Sequence, residues 1–188
     1  IGIIFCRSYP YVLYERPVAE SFRKTHGCEM HELDPWDERV LAHRSGFLTE
    51  LLRENRAMLD AVGRSRGQRL RTAYVIPGDV YTAPGCPDLG PFTTPRSHAM
   101  DVETWIAEGL VDDLAVHLED KRDPEGREAA ELMAHYVQAA RGTETKVYAD
   151  LYPRRQSADS MRVRAIACYE AGVDGLCFWD SHGRARSE

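Results

Sequence analysis

Hydrophobic and polar positions recur with two periods along this chain, and these periods predict strands that alternate with helices. Five short apolar segments are predicted to be β-strands, at residues 1–6, 70–76, 113–118, 146–150 and 175–179. In the four regions between them, apolar residues return every three or four positions, which predicts helices. Such a succession is typical of a parallel sheet whose strands are connected by helices.

A repeated pattern supports this α/β prediction. Residues 108–116 have the sequence EGLVDDLAV, and residues 170–178 have EAGVDGLCF. Each segment starts as the end of an amphipathic helix, then has a glycine suited to left-handed backbone, an apolar–Asp turn and a short apolar strand. Two helix-to-strand returns of this kind imply a helix-wound parallel sheet. Such folds carry their chemistry at the carboxyl ends of the strands.

Capping residues predict where the helices begin. A short helix is expected at residues 18–25, and a long one is expected to begin at Asp34, with Asp37 in the capping-box position. Asp101 and Ser157 are expected to cap two later helices. The long helix has an apolar stripe that we expect to face a sheet: Val40, Leu41, Phe47, Leu48, Leu51, Leu52, Met58, Leu59 and Val62.

Alternate side chains of a strand face opposite sides of a sheet, and two strands separate into an apolar and a polar set. The apolar sets are Leu114, Val116 and Leu118, and Val147, Ala149 and Leu151; the polar sets are Ala115, His117 and Glu119, and Lys146, Tyr148 and Asp150. An open doubly wound sheet needs apolar residues on both faces. One polar face instead suits a closed barrel with polar residues at its mouth. The alternative is that these polar residues only mark strand ends.

Composition limits the classes of function. The 188 residues are 43% hydrophobic with a net charge of −6, which disfavours a nucleic-acid partner. No apolar run approaches the ~20 residues of a membrane span. The five cysteines (Cys6, Cys28, Cys86, Cys168 and Cys177) form no CxxC pair, which favours unpaired thiols and a reducing, cytoplasmic compartment. The chain opens inside a predicted strand without an initiator Met, so we expect the natural protein to extend upstream.

Four segments, in the same order, resemble the family-10-like glycoside hydrolases, which are bacterial (β/α)8-barrel proteins. They are FCR at 5–7 with the aromatic loop after it, SFRKTHG at 21–27 with ELDP at 32–35, DVETWIAEGLVD at 101–112, and YEAGVDGLCFWD at 169–180. The resemblance implies a single-domain partial TIM barrel, in which the five strands are the fourth to eighth and the first three are absent from this chain. It also implies glycosidic cleavage, and it assigns a role to no residue.

Glycosidic cleavage requires two carboxyl groups, one to protonate the leaving oxygen and one to act as nucleophile or base. Acidic residues follow several predicted strands: Glu119 and Asp120, Asp150, Asp180, and Glu15 after the loop that follows the first strand. By strand parity Glu119 and Asp150 share the polar face, so they are the preferred catalytic pair, with Asp180 next. Any one of these acids could also be a solvated loop residue or a helix cap.

Aromatic rings that stack on sugars and side chains that bind hydroxyls lie beside these acids. The expected sugar-binding residues are Arg7, Tyr9, Tyr11, Tyr14, Glu15, His117, Tyr148, Tyr152, Arg154, Trp179 and His182, with Arg155 beside them. The arginines and histidines could also pair with the carboxylate of an acidic sugar. Aromatic residues near strand ends can equally fill the rim of a barrel, and His117 can be an interior hydrogen-bonded histidine.

Other chemistries have weaker support in the sequence. No Walker or dinucleotide-binding glycine pattern follows a strand, and no GxSxG motif is present, so no cofactor is expected. A metal site of His117, Glu119, Asp150 and His182 is an alternative without HExxH or CxxC spacing. A barrel that binds sugar without cleaving it is the main rival, and it would lack two acids facing one cleft.

Overall fold

The computed structural model describes residues 1–5, 11–78, 95–118, 126–151 and 157–178. The strands are β1 (Gly2–Ile4), β2 (Ala73–Pro77), β3 (Asp113–Leu118), β4 (Lys146–Leu151) and β5 (Gly175–Cys177). The helices are α1 (Arg16–His26), α2 (Glu38–Arg66), α3 (Val102–Ala107), α4 (Arg127–Ala140) and α5 (Ala158–Glu170). The predicted α/β class is confirmed, because every predicted strand has a counterpart in the described residues.

The five strands form one parallel sheet in the order β1-β2-β3-β4-β5. Neighbours in the sheet are therefore also neighbours in the chain. This sequential order lacks the reversal at which an open doubly wound sheet has its switch point.

The two faces of the sheet differ in polarity, as strand parity predicts. On β3 and β4, the apolar sets are buried, whereas Ala115, His117 and Tyr148 are only partly buried on the other face. Helix α4 packs against the apolar face. Leu132 of α4 and Val116 of β3 are close to one another beside Gly78, because a Cβ on Gly78 would lie within 3 Å of both side chains. The polar face is therefore the one that can present chemistry.

The two copies of the repeated pattern form the same helix-to-strand turn. Gly109 and Gly172 have φ values of 66° and 99°, as the C′ positions require. The aspartate three residues after Gly109, Asp112, accepts a hydrogen bond of 2.7 Å from the backbone N–H of Thr72. The corresponding Asp174 accepts one of 2.9 Å from the N–H of Val147. Each aspartate thereby fixes the start of the preceding strand.

Two of the predicted helix caps are confirmed, and the start of α2 is corrected. Asp101 accepts from the N–H of Thr104, and Ser157 accepts from the N–H of Ser160. Asp37 is the N-cap of α2, since its carboxylate accepts from the N–H of Arg39. Asp34 instead closes a tight turn by accepting from the N–H of Trp36, so the helix begins three residues later than predicted.

Helix α2 has two apolar rows, and only one of them is buried. Val40, Leu48, Leu52 and Leu59 are buried, whereas Phe47, Leu51, Met58 and Val62 are exposed. The prediction that the whole apolar stripe faces a sheet is therefore wrong for the second row, which is exposed. The buried side is completed by polar residues, namely Arg44, Ser45, Thr49 and Arg56.

The described residues group into two compact units. The first contains the sheet with α4 and α5, from residues within Ile1–Cys6, Arg71–Asp79 and Ile106–Glu188. The second comprises residues within Arg7–Leu70 and Val80–Trp105. Its small core joins Val18 and Phe22 of α1 to Met30 and Val40. In the described part of the chain, every helix is too short or too polar to cross a membrane.

Candidate acid–base site

His117 and Asp150 meet at the carboxyl ends of β3 and β4. They are register partners in adjacent parallel strands, so both side chains project from the polar face. The imidazole Nδ1 lies 2.7 Å from the Oδ2 of Asp150. Asp150 is 1% exposed, and the side chain of His117 is 16% exposed. The structure thus brings together two of the predicted site residues.

This contact selects one tautomer of His117. A carboxylate can only accept a hydrogen bond, so the proton must lie on Nδ1, which makes Nε2 the basic nitrogen of the neutral ring. The arrangement can orient an imidazole and move a proton through Nε2. In acid–base catalysis a carboxylate commonly orients a histidine in this way, and the histidine transfers the proton.

Gly78, just after β2, holds the chain beside this pair. Its N–H donates to the carbonyl oxygen of His117 over 2.9 Å. A Cβ on Gly78 would lie 2.7 Å from Leu132 Cδ2 and 2.8 Å from Val116 Cγ1. A side chain here would have to displace methyl groups of Leu132 and Val116, so glycine suits the close approach of β2 to the end of β3.

Cys177 of β5 is a third member of the site. It is the register partner of Asp150 on the side opposite His117, so the two side chains are neighbours on the polar face. Burial first, then the charge of Asp150 and hydrogen bonding to it, raises the pKa of Cys177 to about 12. The thiol therefore stays protonated at neutral pH and acts as a donor rather than as a nucleophile.

Tyr148 lies on the same face but serves the opposite end of the strands. Its hydroxyl donates to Asp113 at the start of β3, over 3.4 Å. Asp113 is also paired with Arg71 at 2.8 Å. Burial and the charge of Asp113 raise the pKa of Tyr148. The Tyr148 hydroxyl therefore lies away from the His117–Asp150 pair, although strand parity correctly predicts its face.

Three expected sugar-binding residues lie in the second unit. Tyr11 and Tyr14 are each 38% exposed. Glu15 is exposed, and its Oε2 accepts from the N–H of Leu13 over 2.8 Å. This short segment presents two aromatic rings to solvent.

The other predicted site residues lie outside the described residues and stay predictions. They are Glu119 and Asp180 of the catalytic set, and Arg7, Tyr9, Tyr152, Arg154, Trp179 and His182 of the sugar-binding set, with Asp120 and Arg155. Two members of the alternative metal site, Glu119 and His182, are among them. Within the described ranges, no group of three or more His, Cys, Asp or Glu side chains could hold a metal ion.

The place of Cys177 beside Asp150 is not predicted from the sequence, where it is one of five unpaired thiols. The described cysteines, Cys28, Cys168 and Cys177, are indeed free of disulfides. The repeated pattern does not identify it, because Cys177 corresponds there to Ala115, whereas in the sheet Cys177 and His117 are both register partners of Asp150. The register of a three-residue strand is too weakly specified to be read from such a pattern.

Comparison of the chain with protein-family models and with curated proteins found no match. Any functional conclusion therefore depends on the site itself and on the resemblance in the sequence.

Proposed function

We propose that this chain is part of a glycoside hydrolase whose acid–base chemistry is centred on His117 and Asp150. The observation that carries the proposal is the 2.7 Å contact between these side chains at the carboxyl ends of two adjacent parallel strands. Enzymes with helix-wound parallel sheets place their catalytic groups at these ends. The resemblance of four segments to family-10-like glycoside hydrolases points to the same class of reaction.

The proposal includes a (β/α)8-barrel architecture, of which these strands form one section. Sequential parallel order and the separation of apolar from polar faces on β3 and β4 support it. In a closed barrel the polar face is the interior, and its upper layer opens to the substrate. His117, Asp150 and Cys177 would form part of that upper layer.

Each residue then has a defined task. Asp150 is a carboxylate held between two donors, His117 and Cys177, so its orientation is fixed. His117 exchanges a proton with a sugar oxygen through Nε2. Glu119, which the sequence pattern predicts to belong to the polar set with His117, is the second carboxyl group that the reaction requires. Tyr11 and Tyr14 are candidates for stacking on sugar rings.

The burial of Asp150 favours one alternative, a barrel that binds sugar without cleaving it. At 1% exposure, this carboxylate reaches a substrate only through His117 or after a shift of its neighbours. A pure binding protein would use the same polar face and the same aromatic rings but would transfer no proton.

Incubation of the full-length protein with a panel of oligo- and polysaccharides, including acidic ones, distinguishes a hydrolase from a binding protein. A hydrolase releases new reducing ends, and replacement of Glu119 by Gln reduces their release. A binding protein shows saturable association by calorimetry without new reducing ends. If the full-length protein neither cleaves nor binds any member of the panel, the proposal is wrong.

A further inference from the structure

Arg44 is a buried cation in the second unit, and the His117–Asp150 site makes no use of it. It lies in α2 and is 2% exposed. Its Nε donates to the carbonyl oxygen of Val12 over 2.7 Å. Its Nη2 is buried and has no hydrogen-bond partner among the described residues. One of its nitrogens therefore lacks an acceptor, although Nε has one.

The surroundings of Arg44 do not neutralise it. Burial lowers the pKa of Arg44, and the nearby Tyr14 and Glu15 offset this only in part. Glu15 directs Oε2 to the N–H of Leu13, and among the described residues no carboxylate forms an ion pair with Arg44. Buried arginines are normally paired, because an uncompensated buried charge is strongly destabilising. An acceptor with negative charge would satisfy both needs of the guanidinium.

The segment of residues 11–15 makes two hydrogen bonds with other parts of the second unit and reaches the surface. Val12 accepts from Arg44, and the neighbouring Tyr11 donates its N–H to the carbonyl oxygen of His98 over 3.4 Å. Tyr11, Tyr14 and Glu15 of this segment are exposed, so the segment that accepts from the buried guanidinium also reaches solvent.

Backbone strain lies beside the same contact. Ala99, next to His98, has a φ of 66°, and it is the sole non-glycine residue with positive φ in the described ranges. Such strain is concentrated at ligand-binding positions. It is a second observation, independent of the orphan nitrogen of Arg44.

We propose that Arg44 anchors a binding site for a small oxyanion, a carboxylate or phosphate group of a small molecule, that accepts a hydrogen bond from Nη2. Arginine suits this ligand because its planar guanidinium matches the geometry of both groups. The exposed rings of Tyr11 and Tyr14 belong to the segment that contacts Arg44 and are the candidates for contact with the remainder of such a molecule. This inference does not depend on the glycosidase proposal, since it concerns binding alone.

Isothermal titration of the full chain with inorganic phosphate and, separately, with glucuronate tests the site at constant ionic strength. We expect saturable binding of at least one of them, and the more tightly bound ligand distinguishes phosphate from carboxylate. Arg44→Gln should weaken that binding by about tenfold or more, since a charge-assisted hydrogen bond is lost. Arg66→Gln, an exposed arginine of the same helix, is the matched control and should bind as the native protein does.

If Arg44→Gln does not fold, Arg44→Lys retains the charge without the planar guanidinium and should still bind more weakly. The native protein alone also decides the question. Absence of saturable heat with both ligands would overturn the inference, and so would equal affinity of the native protein and a folded Arg44 variant. The binding result is read independently of glycosidase activity, which is measured in a separate assay.

Discussion

His117 and Asp150 are direct partners across β3 and β4, with Nδ1 and Oδ2 2.7 Å apart. The carboxylate sets the tautomer of the ring, and the ring occupies the more accessible position. If the pair transfers protons, His117→Gln should lower turnover about 100-fold or more, since a positioned general acid or base contributes on that scale. Release of reducing sugar by the purified full-length variant measures this. A variant that retains native turnover would exclude His117 from the chemistry.

The thiol of Cys177 should be unreactive because its pKa is raised to about 12. We expect iodoacetamide to modify it far more slowly at pH 8 than it modifies N-acetylcysteine, as followed by mass spectrometry of the peptide that contains it. Asp150→Asn removes the negative charge beside the thiol, lowers its pKa and should therefore speed its alkylation. Equal rates in the native protein and the variant would show that the two side chains are not coupled.

Asp112 fixes the start of β2 through two groups of Thr72, since it accepts from the backbone N–H at 2.7 Å and from the hydroxyl at 3.2 Å. Asp112→Ala leaves both donors buried without this acceptor. The free energy of unfolding should fall by about 1–3 kcal/mol, as measured by urea denaturation. Glu131→Ala on the exposed side of α4 is the control, with a change of about 0.5 kcal/mol or less expected. Equal effects of the two substitutions would contradict the claim that Asp112 stabilises the start of β2.

His43 should make stability depend on pH. Burial is the main reason that its pKa is lowered, and the charge of His26 adds to the effect. The unfolded chain, with a pKa of about 6.5 for this group, therefore binds a proton more readily than the folded chain. The contribution of His43 to stability is complete above pH of about 6.5 and is lost as the pH falls below it.

Urea denaturation at pH 7.5 and pH 5.5 measures this dependence. His43→Leu should reduce the loss of stability between the two values, whereas His31→Gln, at an exposed position, should not alter it. If His43→Leu loses as much stability as the native protein over this range, the protonation of His43 does not control it.

The sequence predicts β3 well because two independent signals agree there. Its alternation separates Leu114, Val116 and Leu118 from His117, and the repeated glycine and aspartate locate its start. The same parity correctly places His117 and Asp150 on one face. It says nothing about how far a side chain reaches, which is why the Tyr148 hydroxyl, bonded to Asp113, was not anticipated.

Helix α2 shows where pattern alone is insufficient. Asp34 and Asp37 are equally suitable caps by residue type, and only the observed hydrogen bonds distinguish a turn from a helix start. Over 29 residues, apolar positions can follow two rows, and the pattern cannot tell which row meets a neighbour. Buried Arg44 replaces an expected apolar residue in the buried row, and tertiary context determines such exceptions.

The most direct test of the proposed function compares Asp150→Asn with Asp113→Asn on the best sugar substrate. Both residues lie on the polar face, at opposite ends of the strands, and each substitution removes one carboxylate. We predict that Asp150→Asn lowers kcat about 100-fold or more with little change in the dissociation constant for the sugar, while Asp113→Asn retains native kcat. Native kcat in Asp150→Asn, or equal losses in both variants, would contradict the assignment of acid–base chemistry to His117 and Asp150.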